Sequence, residues 1–184
     1  MPLIPVLKCA LCRGPIDALS AFFRANGDFL SKRDPLVQFC NAVFHWTCYG
    51  QWPERHRFAS AYVRAWIDAN RKNPFWWSVY RDEHVYVSVN PLPPVEEASV
   101  RLMQVGTDIR VPLAQWSAWL AEVDRVTPNL QRLEKESLMA VLPYLQEKFP
   151  DDHSVVHAIE SGEKQAECRS SRSLGSQDAR ARIP

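Results

Sequence analysis

Apolar residues recur at helical spacing in three stretches of this 184-residue chain. In Glu54–Arg71 they repeat every three or four positions, which predicts an amphipathic helix. A second stripe covers Leu113–Val123 and a third covers Leu130–Phe149. Thr127-Pro128 predicts the cap and first turn of the third helix. Pro143 lies inside that stripe, and we expect it to kink or split the helix.

Alternating apolar and polar residues predict strands between these helices. Glu83–Val89 alternates along its whole length. Ser99–Val105 and Asp108–Leu113 alternate on either side of Gly106-Thr107, which predicts a hairpin. We interpret the aromatic run Phe75–Trp77, which precedes the first of these strands, as a connector packed in the core.

In the front of the chain, residues 1–73, the sequence predicts shorter extended segments. Asn26-Gly27 is a strong two-residue hairpin signal, and we expect it to join Ser20–Ala25 to Asp28–Leu30. Asp34-Pro35 predicts a turn, and Leu36–Cys40 predicts a further extended segment after it. Together with the helical stripes, these segments predict an α+β fold.

Two pairs of metal-ligating residues frame this front region. Cys9 and Cys12 have two residues between them and lie beside Gly14, the spacing of a zinc knuckle. His45 and Cys48 are three positions apart, so both side chains lie on one face of a helical first turn. Three thiolates and one imidazole fill a tetrahedral Zn²⁺ ion with no open position, which predicts a structural site. Knuckle, hairpin and then helix is the order of a treble-clef zinc finger.

Other interpretations of these residues stay open at this stage. The four side chains could be buried free cysteines and an ordinary histidine, although two pairs in this order favour zinc. Cys40 could replace His45 or Cys48 as a ligand, or it could be a small buried thiol, which we favour. His56 lies between two arginines and is interpreted as a surface histidine.

The motif resembles one known family. Cys-x2-Cys, a spacer near thirty residues and the run Phe44–Tyr49, with its aromatic-His-aromatic-x-Cys-aromatic pattern, are similar to the zinc finger of poly(ADP-ribose) polymerases and to the related finger of a eukaryotic DNA ligase. The resemblance covers residues 8–55. In that family the finger recognises DNA breaks through apolar residues that stack on bases and through basic contacts. The resemblance therefore implies a zinc-dependent finger and makes DNA a candidate partner.

Charge is distributed unevenly, although the formal net charge is only +1. Up to Asn73 there are ten Lys and Arg against five Asp and Glu, whereas Pro74–Cys168 has eight against fifteen. The basic front could face a polyanion, or the two halves could attract each other within one fold, which we favour. Within a DNA interface, the phosphate contacts would come from Arg13, Arg24, Lys32, Arg33, Arg55 and Arg57.

The compartment follows from what the sequence lacks. No apolar run approaches the roughly 18–20 residues of a membrane span. The apolar start is short and has no charged region before it, so we expect no secretion signal. The chain has five cysteines, and an odd number without a secretion signal fits metal ligation in a reducing cytoplasm.

These observations predict three segments and a function class. Residues 1–73 form the zinc finger and its long helix, 74–161 form a hairpin and helices packed on it, and 162–184 form a disordered tail. We predict a zinc-stabilised, non-enzymatic module that binds a protein or DNA, with no small-molecule substrate identified. The alternative is a nuclease or another hydrolase that uses the finger as a scaffold, with His56, Asp34 and Asn41 as the residues to consider.

Overall fold

The computed structural model describes residues 7–17, 21–71, 73–90, 92–93, 96–122, 127–155 and 157–158. Helices and two antiparallel sheets make up this part of the chain, which confirms the predicted α+β class. The predicted disordered tail, 162–184, lies outside the described residues. Among the helices of the described ranges, none is long and apolar enough to cross a membrane.

Within the described ranges, six strands and four longer helices follow one another. The strands are β1 (Phe22–Arg24), β2 (Val43–His45), β3 (Trp77–Arg81), β4 (Val85–Asn90), β5 (Glu97–Leu102) and β6 (Thr107–Pro112). The helices are α1 (Trp46–Gln51), α2 (Arg55–Asn70), α3 (Trp116–Ala121) and α4 (Arg132–Lys148). Short 3₁₀ helices lie at Val37–Phe39 and Leu113–Gln115, and residues 152–155 are helical. The sheet orders are β1-β2 and β3-β4-β5-β6.

The Asn26-Gly27 turn does not make the predicted hairpin. β1 pairs with β2, so the expected pairing of Ser20–Ala25 with Asp28–Leu30 is wrong. Gly27 does adopt a left-handed φ of +88°, as the turn signal requires. Its amide donates a 2.7 Å hydrogen bond to the Asn41 side chain, which itself donates to the Asp28 carboxylate. These bonds attach the turn to the chain just before β2, and the distant strand pairing replaces the local one.

The predicted extended segment Leu36–Cys40 is also wrong, because Val37–Phe39 form a 3₁₀ helix. The turn at Asp34-Pro35 is present and explains the difference. The Asp34 carboxylate accepts a 2.9 Å hydrogen bond from the Leu36 amide, and the Asp34 carbonyl accepts one from the Val37 amide. Since the turn continues directly into the 3₁₀ helix, the chain does not become extended before Cys40.

The second sheet matches the predicted strands and adds one. β5 and β6 form the predicted hairpin, and Gly106 takes a left-handed φ of +84° in the loop between them. The core connector predicted at Phe75–Trp77 is only partly correct: Trp77 packs against the core, but it begins β3, and Phe75 is 56% exposed. Trp77 pairs with Val89 of β4, so the aromatic run leads into an edge strand.

The two faces of the larger sheet differ in chemistry. On one face the cross-strand pair Val87 and Val100 lies in the main hydrophobic core together with Leu138 of α4. On the other face Tyr86 lies opposite Arg101, and α2 covers them with Trp66 and its neighbours. Burial on both faces explains why all six residues of β4 are buried.

The last long helix starts later than predicted. It begins at Arg132 rather than at Pro128, because Gln131 and Glu134 form a reciprocal capping box there. Pro143 lies inside the helix and does not split it. Pro143 and Met139, four residues earlier, are both exposed, so water can bond to the carbonyl that proline leaves unpaired.

Candidate metal centre

The structure brings the four predicted ligands together. One donor atom from each of Cys9, Cys12, His45 and Cys48 lies within 4.8 Å of the donor atoms of the other three. The Nδ1 atom of His45 is 3.4 Å from the Cys12 sulfur and 3.8 Å from the Cys48 sulfur. Among the described residues this is the only group of three or more His, Cys, Asp or Glu side chains close enough to hold a metal ion.

A tight turn of the backbone orients the first pair. The Cys9 amide donates a 2.9 Å hydrogen bond to the Gly14 carbonyl, and the Arg13 amide donates one of 2.9 Å back to the Cys9 carbonyl. Arg13 takes a left-handed φ of 64° to close the turn. Lys8 and Pro15 form an antiparallel bridge at its base. The two cysteine sulfurs therefore project from one side of the turn toward His45.

The second pair lies where β2 passes into α1. His45 is the last residue of β2 and keeps an extended conformation at the helix cap, while Cys48 lies in the first turn of α1. The His45 amide points at the Cys9 sulfur, 3.4 Å away. β1 holds β2 in register through the Phe22–His45 pair, so the strand pairing fixes where this half of the site stands.

The histidine is oriented by a group outside the four donors. Its Nε2 atom lies 3.0 Å from the carbonyl oxygen of Pro15 and donates to it, because a carbonyl can only accept. The proton is then on Nε2, which leaves the Nδ1 lone pair directed at the thiols. Sequence reasoning missed this role of Pro15, since backbone carbonyls have no signature beyond the Gly14-Pro15 turn.

The pKa values of the Cys9 and Cys48 thiols are shifted in opposite directions at this site. Burial raises the pKa of the Cys9 thiol, but hydrogen bonds from the backbone of Cys12, His45 and Leu11 outweigh it and lower that pKa to about 6. Burial also raises the pKa of Cys48, and its contacts with Cys12 and Cys9 add to the increase, to about 11. The surroundings therefore stabilise a thiolate at Cys9 and destabilise one at Cys48.

A zinc ion fits this donor set. With Zn–S bonds of about 2.3 Å and Zn–N bonds of about 2.0 Å, a tetrahedron separates its donors by roughly 3.5–3.8 Å. The two sulfur distances of the His45 Nδ1 atom, 3.4 and 3.8 Å, lie close to that range. The ion would supply the positive charge that lets all three thiols ionise together, and it would link the knuckle to α1.

The other histidine and cysteine of the front, His56 and Cys40, lie outside the group of four donors. Cys40 is half-buried and outside the donor group, so it does not replace His45 or Cys48 there. Its amide closes the 3₁₀ helix on the Val37 carbonyl. His56 is exposed, as predicted, and lies 2.7 Å from the Arg55 guanidinium. Burial and that positive charge both lower the pKa of His56.

The residues considered for a nuclease centre have separate structural partners. Asp34 forms an ion pair with Arg57 at 2.5 Å and caps the following turn. Asn41 holds the Gly27 loop, and His56 contacts Arg55. No observation in the described ranges brings these three together around a second metal.

The basic residues considered for DNA contact fall into two groups. Arg57 is bonded to Asp34 and Glu54, and Arg55 donates to the Gly50 carbonyl at 2.8 Å. The other four are exposed and form no ion pair within the described ranges: Arg13, Arg24, Lys32 and Arg33. Part of the basic excess of the front is therefore neutralised inside the fold.

The centre has the chemistry of a closed metal site, with four donors and an outer carbonyl that sets the histidine tautomer. None of these four donors is a carboxylate, and soft sulfur and imidazole ligands suit zinc more than magnesium or calcium. Neither family models, nor the curated proteins, nor the solved structures contain a match to this chain.

Proposed function

We propose that this protein is a non-enzymatic binding module whose front is a treble-clef finger stabilised by structural Zn²⁺. Cys9, Cys12, His45 and Cys48 would hold the ion. The observation that carries the proposal is the closed set of four soft donors within 4.8 Å of one another. A zinc ion with four protein ligands has no position for water or substrate, so its contribution is to folding.

The position of the site supports a folding role. The backbone bonds of the knuckle are mostly internal, apart from the bond of the Ala10 amide to the Val43 carbonyl of β2. α1 is packed into the aromatic core through Tyr49. Zinc would add a further link between the knuckle and this helix, which is a typical use of a metal in a small, loop-rich region.

Metal analysis tests the first half of the proposal. Protein purified without added metal should carry about one zinc per chain, and a Cys12→Ser variant should carry much less. A Cys40→Ser variant is the matched control, since Cys40 is outside the donor group. Well under one zinc per wild-type chain, with full folding, would refute the structural-zinc proposal.

We further propose that the partner is a protein rather than DNA. The acidic partners of Arg57 support this choice because they neutralise one of the six candidate phosphate contacts. Electrophoretic mobility-shift assays with nicked and blunt-ended DNA duplexes test this choice. DNA binding through several phosphates would weaken steeply with salt. A mobility shift at low salt that disappears by about 0.2 M salt would therefore favour DNA instead.

The same donor chemistry supports a reducing compartment, and we propose the cytoplasm. Zinc binds cysteine as thiolate, and oxidation to disulfides would remove three of the four ligands. The four cysteines in the described ranges are free, in keeping with this assignment.

A further inference from the structure

A cleft of about 360 Å³ lies between α1 and the first turns of α4. One wall is formed by Trp46, Thr47 and Gln51 of α1, and the facing wall by Arg132 and Glu136 of α4. The two walls approach each other at Gly50, where an added Cβ would lie only 3.9 Å from the Leu133 side chain. A cleft of this size holds one or two side chains rather than a whole folded surface.

The lining combines positive charge, hydrogen-bonding groups and one aromatic ring. Arg132 is 91% exposed, and within the described ranges its one ion pair is long, 3.6 Å to Glu136. Arg55 lies at the base of the cleft, where its guanidinium donates to the Gly50 carbonyl and no described carboxylate neutralises it. Trp46 is half-buried and packs edge-on against Phe23, which fixes one apolar wall.

This lining favours a peptide over a nucleic acid. Two arginines attract a carboxylate, and the Thr47 hydroxyl and Gln51 amide can bond to a peptide backbone. Glu136 also faces the cleft, and its carboxylate would repel a continuous run of phosphates. A peptide with one acidic side chain beside one apolar side chain matches both the charge of this lining and the volume of the cleft.

The cleft depends on the metal centre through α1. Trp46 and Thr47 lie between the ligands His45 and Cys48 in the sequence. The wall that they form is therefore part of the same backbone turn that carries two of the four metal ligands. Release of the metal would free this turn and change the shape of the wall.

We propose that this cleft is a docking site for an acidic peptide segment of a partner protein. A carboxylate of the segment bonds to Arg132 and faces the charge of Arg55, while an adjacent apolar side chain packs on Trp46. This inference rests on the proposed binding-module function and specifies the chemistry of its partner. It makes the metal a requirement for binding without giving it a role in any reaction.

A displayed library of random octapeptides, selected on zinc-loaded full-length protein, tests the proposal. We expect enriched peptides to carry Asp or Glu beside an apolar residue. Synthetic copies should bind Arg132→Glu about tenfold more weakly, because an attractive charge becomes repulsive. They should bind Glu136→Gln a few times more tightly, because the competing carboxylate is gone.

Arg64→Glu provides the matched control, since Arg64 is an exposed arginine on α2 that does not line the cleft. Equal weakening by Arg64→Glu and Arg132→Glu would overturn the proposal, since it would show only attraction to net charge. So would an absence of enrichment on protein shown to hold one zinc, or tighter binding of oligothymidine than of any peptide. Low zinc content in a fully folded protein would instead refute the proposed function itself.

Discussion

The hydroxyl of Tyr49 donates a 2.9 Å hydrogen bond to the carbonyl oxygen of Val105, and both residues are fully buried. The bond joins the helix that carries Cys48 to the loop between β5 and β6. The same tyrosine ring stacks on Phe23 of β1, with centroids 4.1 Å apart. One side chain thus connects the metal-binding front, its small sheet and the larger sheet.

Replacing Tyr49 with Phe should lower the free energy of unfolding by about 1–3 kcal/mol, because the buried Val105 carbonyl is left without its donor. Urea titration followed by tryptophan fluorescence measures the change. Tyr62→Phe is the matched control, since the Tyr62 ring contacts Phe23 but its hydroxyl has no hydrogen bond in the described ranges. Equal losses in both variants would show that the bond to Val105 is not the cause.

Alkaline pH should destabilise the protein through the same residue. Burial raises the pKa of Tyr49 well above its ordinary value. Above about pH 10 an unfolded tyrosine loses its proton while the folded one keeps it, so unfolding becomes more favourable as pH rises. The free energy of unfolding should fall by up to about 1.4 kcal/mol per pH unit from this group. The slope should be shallower in Tyr49→Phe, as measured by denaturant titrations between pH 9 and 11.

The metal centre could be predicted from sequence because its information is local. Two residues separate the ligands within each pair, so the turn around Cys9 and the start of α1 place each pair correctly. The fold that joins the pairs was harder to predict. Asn26-Gly27 is a strong local turn signal, yet β1 pairs with β2, whose partner residues lie 19 to 23 positions further along the chain. Such a choice depends on packing that no short window of sequence contains.

The larger sheet was likewise predictable only where its sequence signal is local. Alternation located β4, β5 and β6 because valines recur at every second position in the first of them. β3 lacks that alternation, and its Trp77 resembled a core residue rather than the start of a strand. The capping box of Gln131 was missed because Thr127-Pro128 offered a more familiar helix start four residues earlier.

Loss of one ligand should unfold the front before the rest. In Cys48→Ala the knuckle loses its link to α1, and zinc binding free energies of about 10–16 kcal/mol in finger peptides exceed what this region can replace. We expect a lower first melting transition, accompanied by zinc release, with Cys40→Ala unchanged. Near-ultraviolet circular dichroism and a zinc-sensitive dye follow the two events. A melt identical to wild type would contradict a structural metal at this site.

A buried ion pair between β5 and β6 lies on the face of the larger sheet that α2 covers. Arg101 donates to the Asp108 carboxylate at 2.8 Å, and the side chain of Arg101 is only 5% exposed. The Trp66 ring lies over its guanidinium, 3.4 Å from the ring centroid. Arg110 bonds to the same carboxylate at 2.6 Å but is 38% exposed. Both arginines bond to Asp108, Arg110 also pairs with Glu97 at 3.1 Å, and Arg101 is the more buried of the two.

Arg101→Ala should cost about 1.5–3 kcal/mol of unfolding free energy, because a buried hydrogen bond to a charged group is lost while Asp108 keeps its contact with Arg110. The Trp66 ring also loses the planar group on which it stacks, so Arg101→Lys should recover only part of the loss. Arg110→Ala should cost about 1 kcal/mol or less, because water replaces its more exposed contacts. Chemical denaturation of the three variants gives the comparison. Equal costs for Arg101→Ala and Arg110→Ala would show that the greater burial of Arg101 does not make its contacts more stabilising.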